Sequence, residues 1–96
     1  MTNNIGLAAR ARKLVIGTAS TLLALRKGRL SLILLASDAS GPTKKNIHDK
    51  ARHYQVDVLE HYSAGELSHA TGRHDIKVIG VTDQGFANLL MQPKRK

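Results

Sequence analysis

The chain has 96 residues, which predicts one small domain with a limited core. It contains no cysteine, which excludes disulfides and thiolate metal sites. No apolar run approaches the roughly 20 residues of a membrane-spanning helix, so we expect a cytoplasmic protein with no membrane partner. Fifteen Lys and Arg against seven Asp and Glu give a net charge of +8, and residues 1–37 hold no acid, a balance typical of proteins that bind a polyanion.

The first half of the chain alternates between helical and extended patterns. Residues 5–12 predict a short amphipathic helix, and the apolar run at residues 14–16 predicts an edge strand. Gly17 opens a second helix that ends at Gly28. The run from Leu30 to Asp38 has no polar alternation, which predicts a strand buried on both of its faces.

The second half continues this alternation. The next predicted elements are a helix that buries Ile47, Ala51 and Tyr54, a strand over residues 56–62, and a helix that starts with the capping-box sequence Ser63–Glu66. The last predicted elements are a strand over residues 76–81 and a helix that is capped by Asp83 and buries Phe86, Leu89 and Leu90. Pro93 is expected to end the ordered structure and to leave residues 92–96 as a flexible basic tail.

Helices and strands that alternate in this way predict an α/β fold, a three-layer α/β/α sandwich around a mixed sheet of about four strands. No linker, repeat or low-complexity segment divides the chain, so residues 1–96 are expected to form a single domain. Ligands of such folds tend to lie beyond the carboxyl ends of the strands.

The chain lacks the spacings of an enzyme or a metal protein. It has no nucleophile elbow, no Walker loop and no dinucleotide-binding fingerprint. Asp38, at a strand end, is interpreted as a cap of the turn that follows it. The histidine pairs His48/His53 and His69/His74 are spaced by five residues and miss the i, i+4 geometry of a helical metal site. We therefore predict no catalytic residue, no metal and no cofactor.

Two features of the sequence predict contact with an anion. The helix opened by Gly17 and Thr18 presents unpaired N–H groups at its amino terminus, where phosphates or base edges can dock. Lys44 and Lys45 stand near the start of the next helix, where their charge opposes the helix dipole unless an anion is present. We favour an anion contact for Lys44, whereas Lys45 is equally well explained by an i, i+4 pair with Asp49.

Several short motifs follow one another in unbroken order from about residue 12 to residue 90. They are Gly17-Thr18, Gly28, the run Leu30–Asp38, Ala39-Ser40, Thr43-Lys44-Lys45, Asp49-Lys50, Tyr54 and Asp83-x-Gly85-Phe86-Ala87. In this order they resemble the bacterial YlxQ-like branch of the kink-turn RNA-binding ribosomal-protein superfamily. The resemblance implies a helix beginning Gly-Thr-Asn-Glu that enters the widened groove of a sharply bent RNA stem. Its Asn and Glu read sheared G·A pairs, a Lys one turn later supports them, and a loop after the third main strand covers the extruded bases.

This sequence departs from that pattern at the reading helix. Gly17 and Thr18 match, but Ala19 and Ser20 replace the Asn and Glu, and Leu23 replaces the supporting Lys. Each lost base-edge pairing costs on the order of 1–3 kcal/mol in DNA complexes, and RNA should be similar. The resemblance therefore implies RNA binding without specific readout of a standard kink-turn.

Charge and resemblance together predict a non-enzymatic RNA-binding protein of the ribosomal-protein type that binds bent or kinked RNA, ribosomal or other. The predicted RNA contacts are Lys13, Gly17, Thr18, Ala19, Ser20, Arg26, Lys44, Lys45, Tyr62, Ser63, Ala64, Gly65 and Arg73. The ribosome and proteins of transcription or translation are further candidate partners. The alternative is a protein–protein interaction module in such an assembly, which requires Leu23 to be exposed. A small-anion or nucleotide-binding protein that uses residues 38–45 ranks last.

Overall fold

The computed structural model describes residues 3–91, and the predicted basic tail at residues 92–96 lies outside them. The elements are α1 (Asn3–Arg10), β1 (Leu14–Ile16), α2 (Thr18–Arg26), β2 (Leu32–Leu35), α3 (Gly41–Tyr54), β3 (Val58–Leu59), α4 (Ala64–Thr71), β4 (Val78–Val81) and α5 (Gln84–Met91). Their order confirms the predicted alternation of helices and strands.

The four strands form one mixed sheet in the order β1-β4-β2-β3. β2 and β3 are parallel, whereas β4 runs antiparallel to both β1 and β2. Every residue of the two central strands, β2 and β4, is buried, and every residue of the two edge strands, β1 and β3, is half-buried. The unbroken apolar run of β2 therefore lies where such a run is expected, between two covered faces of a sheet.

The helices cover the sheet in two groups. α2 packs on β4 and β1 and contacts α3, which packs on β2. α1 contacts both α4 and α5, and α5 packs on β4. The predicted three-layer α/β/α arrangement is confirmed, with α2 and α3 forming one outer layer.

Side-chain caps fix the starts of three helices. The Ser40 hydroxyl accepts from the Thr43 N–H (3.3 Å) at the start of α3, and Ser63 and Glu66 form the predicted capping box of α4. The Asp83 carboxylate accepts from the Phe86 N–H (2.9 Å), which confirms that Asp83 caps α5.

The strands are shorter than predicted, with four residues in β2 and two in β3. Backbone hydrogen bonds continue past the ladder, from the Ala36 N–H to the Lys77 oxygen (2.8 Å) and from the Ser37 N–H to the Tyr62 oxygen (2.8 Å). The chain beyond each strand stays paired but turns toward the next helix. The predicted helix over residues 5–12 ends at Arg10, and the chain leaves it through Arg12 in the left-handed region (φ 61°).

Two side chains predicted to be buried are exposed. Tyr54 is 40% exposed because it lies in the last turn of α3, a helix of 14 residues and about 21 Å that extends past the four-residue strand beneath it. Leu89 is 46% exposed, since α5 buries Ala87 and Leu90 instead. In α5, the predicted stripe of Phe86, Leu89 and Leu90 and the buried pair Ala87 and Leu90 both have helical spacing, so periodicity alone could not choose between them.

Candidate functional site

Four segments of the chain meet at the end of the sheet where β1, β2 and β3 finish and β4 starts. Ile16 at the end of β1 pairs with Ile79, and Leu35 at the end of β2 pairs with Val78 at the start of β4. β3 is parallel to β2, so its carboxyl end lies at the same end of the sheet. We call this surface the loop edge; it comprises residues 17–20, 36–40, 60–65 and 76–77.

Backbone hydrogen bonds hold the loop edge together. The Gly17 N–H donates to the Val78 oxygen at 2.9 Å, which anchors the start of α2 on β4. The bonds from Ala36 and Ser37 described above join the residues after β2 to the residue before β4 and to the residues after β3. The loop edge is therefore a connected backbone surface rather than a set of independent loops.

The start of α2 presents its backbone to solvent. Gly17 precedes the helix with φ 102° and ψ 156°, a backbone region that is essentially restricted to glycine, and no side chain caps this helix. Thr18, Ala19 and Ser20 are exposed. The first-turn N–H groups, which have no partner within the helix, are thus available to an external acceptor.

The loop after β3 is held in place by side chains. The Asp38 carboxylate accepts from the Ala64 N–H at 2.8 Å, while Ser63 takes part in the capping box. Asp38 was predicted to cap the turn that follows it, but Ser40 caps α3 and Asp38 instead reaches across to the start of α4. Asp38 meets this partner because the two loops pack together in the folded chain, which local sequence spacing could not reveal.

Tyr62 contributes only its backbone to this loop. Its side chain is buried, packs edge-on against the His61 ring at a centroid distance of 5.1 Å, and has a pKa raised by burial and by the charge of Glu66. Residues 62–65 correspond to the loop that, by the resemblance, covers the extruded bases; its exposed part is Gly65, beside the half-buried Ser63 and Ala64.

The two predicted lysine contacts have carboxylate partners. Lys44 pairs with Glu60 at 3.3 Å, and His48 forms a hydrogen bond with the other Glu60 oxygen. The pKa of Glu60 is lowered, mainly by the His48 hydrogen bond and also by Lys44, against an opposing effect of burial. Lys45 and Asp49 form the predicted i, i+4 pair at 3.1 Å, and the Lys45 side chain is 79% exposed.

Three predicted contacts lie away from the start of α2. The Lys13 carbonyl accepts from the Thr82 N–H (2.9 Å), which places Lys13 at the opposite end of β1. Arg26, in the last turn of α2 and about 12 Å along its axis, lines a cleft of about 370 Å³ with residues of α3. Arg73 follows the left-handed Gly72 that ends α4. The sequence shows these charges but not which end of the sheet each element brings them to.

A groove beside α2 was not predicted from the sequence. It has a volume of about 250 Å³ and is lined by Val15, Ser20, Leu23, Ala24, Lys27, Arg29 and Thr82. We call it the α2 groove. Leu23 is 49% exposed at its surface. The spacing i, i+3, i+4, i+7 from Ser20 to Lys27 was the available signal, since these positions share one helix face.

Within residues 3–91, no group of three or more His, Cys, Asp or Glu side chains is placed to hold a metal ion. No helix in that part of the chain has the length and apolar character needed to cross a membrane.

Comparison with known proteins gives matches over nearly the whole chain. The model of the "Ribosomal protein L7Ae/L30e/S12e/Gadd45 family" matches residues 1–91. RNA-binding protein YlxQ of Bacillus subtilis (strain 168) is 41% identical over 87 residues, which cover 91% of this chain and 87% of that protein. RNA-binding protein YlxQ of Enterococcus faecium is 40% identical over 85 residues, which cover 88% and 82%.

Solved structures show the same fold. A protein of unknown function from Bacillus halodurans C superposes with a TM-score of 0.88 at 40% identity, covering 93% of this chain and 90% of that one. The Giardia lamblia 15.5kD RNA binding protein superposes with a TM-score of 0.76 at 18% identity, covering 93% and 77%, a likeness that shows the fold alone.

Proposed function

The chain belongs to the ribosomal protein L7Ae/L30e/S12e/Gadd45 family as a bacterial YlxQ-like member, and from this premise we propose that it is a non-enzymatic protein that binds structured, bent RNA at its loop edge. The observation that carries the proposal is the identity of 40–41%, over most of the chain, to two proteins named for RNA binding. The net charge of +8 agrees with a polyanionic partner.

The start of α2 is suited to a widened RNA groove. The deep major groove of regular A-form RNA is too narrow for side chains to read, whereas a sharp bend opens it. Gly17 has no side chain and Ala19 a short one, so the uncapped backbone can approach phosphates or base edges closely. Recognition would then rest on backbone and shape, because the Asn and Glu that read G·A pairs in the family are replaced by Ala19 and Ser20.

The loop after β3 would form the second wall of this site. The hydrogen bonds that Asp38 and Ser37 make to it keep the loop beside the residues that follow β2. A loop that is already ordered pays little conformational entropy when it binds, which favours a fixed RNA geometry.

Phosphate neutralisation would supply most of the affinity. At the start of α3, Lys45 is held only by an exposed pair with Asp49, which a phosphate can replace at little cost. Lys44 is more enclosed and has Glu60 as its partner. Lys13, Arg26 and Arg73 would contact RNA that extends beyond the loop edge.

A titration of fluorescent RNA at two salt concentrations tests the proposal. One RNA is a kink-turn stem with tandem G·A pairs, and the other is a straight duplex of equal length and charge. A preference for the bent stem that survives at higher salt is the expected result, since counterion release weakens both complexes while the shape contacts differ. Equal binding of the two RNAs, collapsing as salt rises, would contradict recognition of the bend.

A protein–protein interaction module in a translation or transcription assembly is the second candidate function. The exposure of Leu23, at 49%, is the observation that favours it. This candidate takes first place if neither RNA binds at low salt.

A further inference from the structure

We propose that the α2 groove holds one unpaired nucleotide of the bound RNA, with its base on Leu23 and its phosphate between Lys27 and Arg29. The inference rests on the proposed function, because it concerns RNA already bound at the loop edge. It assigns an RNA-contacting role to Lys27 and Arg29, which the sequence analysis left out.

The lining of the groove suits a mainly apolar group. Leu23 and Ala24 form part of one wall on α2, and Val15 of the edge strand β1 faces them. In the part of the chain that the structure describes, β1 pairs with β4 alone, so no described strand covers the outer side of this wall. The groove volume of about 250 Å³ is large enough for a single nucleobase.

Positive charge is concentrated at the end of the groove away from the loop edge. Gly28 adopts the left-handed conformation (φ 70°) and turns the chain back, so that the Arg29 N–H donates to the Ala24 oxygen at 3.0 Å. Lys27 and Arg29 are both exposed there. The Lys13 carbonyl accepts from the Thr82 N–H and hydroxyl, which places the Lys13 backbone next to another residue of the groove.

Within residues 3–91, no acidic residue lines the groove. The nearest acid along the chain, Asp83, has its carboxylate engaged by the Phe86 N–H at the start of α5. The groove combines an apolar floor with the two cations Lys27 and Arg29. A nucleotide combines a largely apolar base face with a charged phosphate, so the two are complementary. An apolar protein segment could pack on the apolar floor but would offer Lys27 and Arg29 no anionic partner.

The groove is continuous with the loop edge. Ser20 belongs to both surfaces, and Lys27 lies seven residues further along α2, a rise of about 10 Å. An RNA strand held at Gly17–Ser20 therefore needs no change of direction to place its next unpaired nucleotide on Leu23.

A comparison of intact and abasic RNA tests the proposal. The probes are one bent stem with an unpaired bulge and the same RNA with abasic sites at the bulged positions, which keeps every phosphate. Wild-type protein is expected to bind the intact RNA at least about fourfold more tightly, the factor for burial of roughly one methylene equivalent. Leu23→Ala is expected to remove this preference and to leave the affinity for the abasic RNA unchanged.

The cations require a separate variant. Lys27→Gln combined with Arg29→Gln is expected to weaken both RNAs equally and to reduce the slope of log K against log salt by about 0.7, for one phosphate contact on a single strand. Leu89→Ala is the matched control, because Leu89 is 46% exposed and lies on α5, outside the groove. Circular dichroism of each variant verifies that it is folded.

The outcomes separate this proposal from the proposed function. Wild-type protein that binds the intact and abasic RNAs equally overturns the nucleotide site while RNA binding stands. A Leu23→Ala variant that weakens both RNAs to the same extent, or that matches Leu89→Ala, also overturns it and leaves the groove to a protein partner. Absence of binding to either RNA by the wild-type protein at low salt removes both proposals together.

Discussion

Replacement of Gly17 by alanine tests the account of how α2 begins. Gly17 has φ 102° and ψ 156°, and a Cβ built on it meets no atom within 4 Å. The cost of the methyl group is therefore a cost of backbone conformation alone, about 1–3 kcal/mol for this region. Such a loss leaves a domain of ordinary stability folded and lowers Tm by roughly 4–8 °C per kcal/mol.

Gly65→Ala is the matched control for this substitution. A Cβ at Gly65, in the first turn of α4, meets only the Ser63 hydroxyl oxygen at 3.8 Å, an ordinary contact, and the backbone there has no positive φ. Its free energy of unfolding should be unchanged or slightly raised, because alanine restricts the unfolded chain more than glycine does. Urea unfolding of both variants measures the difference. A Gly17→Ala protein within about 0.5 kcal/mol of wild type would refute the argument that this position requires glycine.

Three further outcomes are expected. Asp38→Ala should lower the free energy of unfolding by about 1 kcal/mol in urea melts, since the first N–H of α4 loses its acceptor. Glu60→Gln should reduce the free energy of unfolding at neutral pH, as unfolding across a pH series will show. Because His48 and Lys44 lower the pKa of Glu60, the difference between wild type and variant is complete above the ordinary pKa of 4.5 and disappears as the pH falls through the lowered value. Replacing Lys44 and Lys45 together with Glu should weaken bent and straight RNA alike in low-salt titrations, and unchanged affinity would remove α3 from the site.

The fold was predictable because local signals and burial agree along most of the chain. The run from Leu32 to Leu35 is central in the sheet as its composition requires, and the Ser63 capping box and the Asp83 cap are present. Tyr54 was assigned wrongly because helical spacing says nothing about where the sheet beneath a helix ends. The stripe of α5 was wrong at Leu89 because two apolar stripes of the same period compete there.

The candidate site was predictable only where elements begin and end. The start of α2 and the loop after β3 follow strands, so their convergence at one edge follows from the topology. The partner of Asp38 and the carboxylate that meets Lys44 depend on tertiary approach, over 26 residues in the first case. Lys27 and Arg29 were not predicted as contacts because the groove that they line with Leu23 also needs Val15 and Thr82, which are far from each other in the sequence.

Amide chemical-shift mapping of the protein during titration with the bent RNA tests the central claim most directly. The claim is that RNA lies on the loop edge, in contact with the backbone of residues 17–20 and 62–65. The account predicts that the largest shifts fall on those amides, while the amides of α1 and α5 stay near their free positions. Shifts concentrated on α1 and α5, with residues 17–20 unaffected, would contradict it.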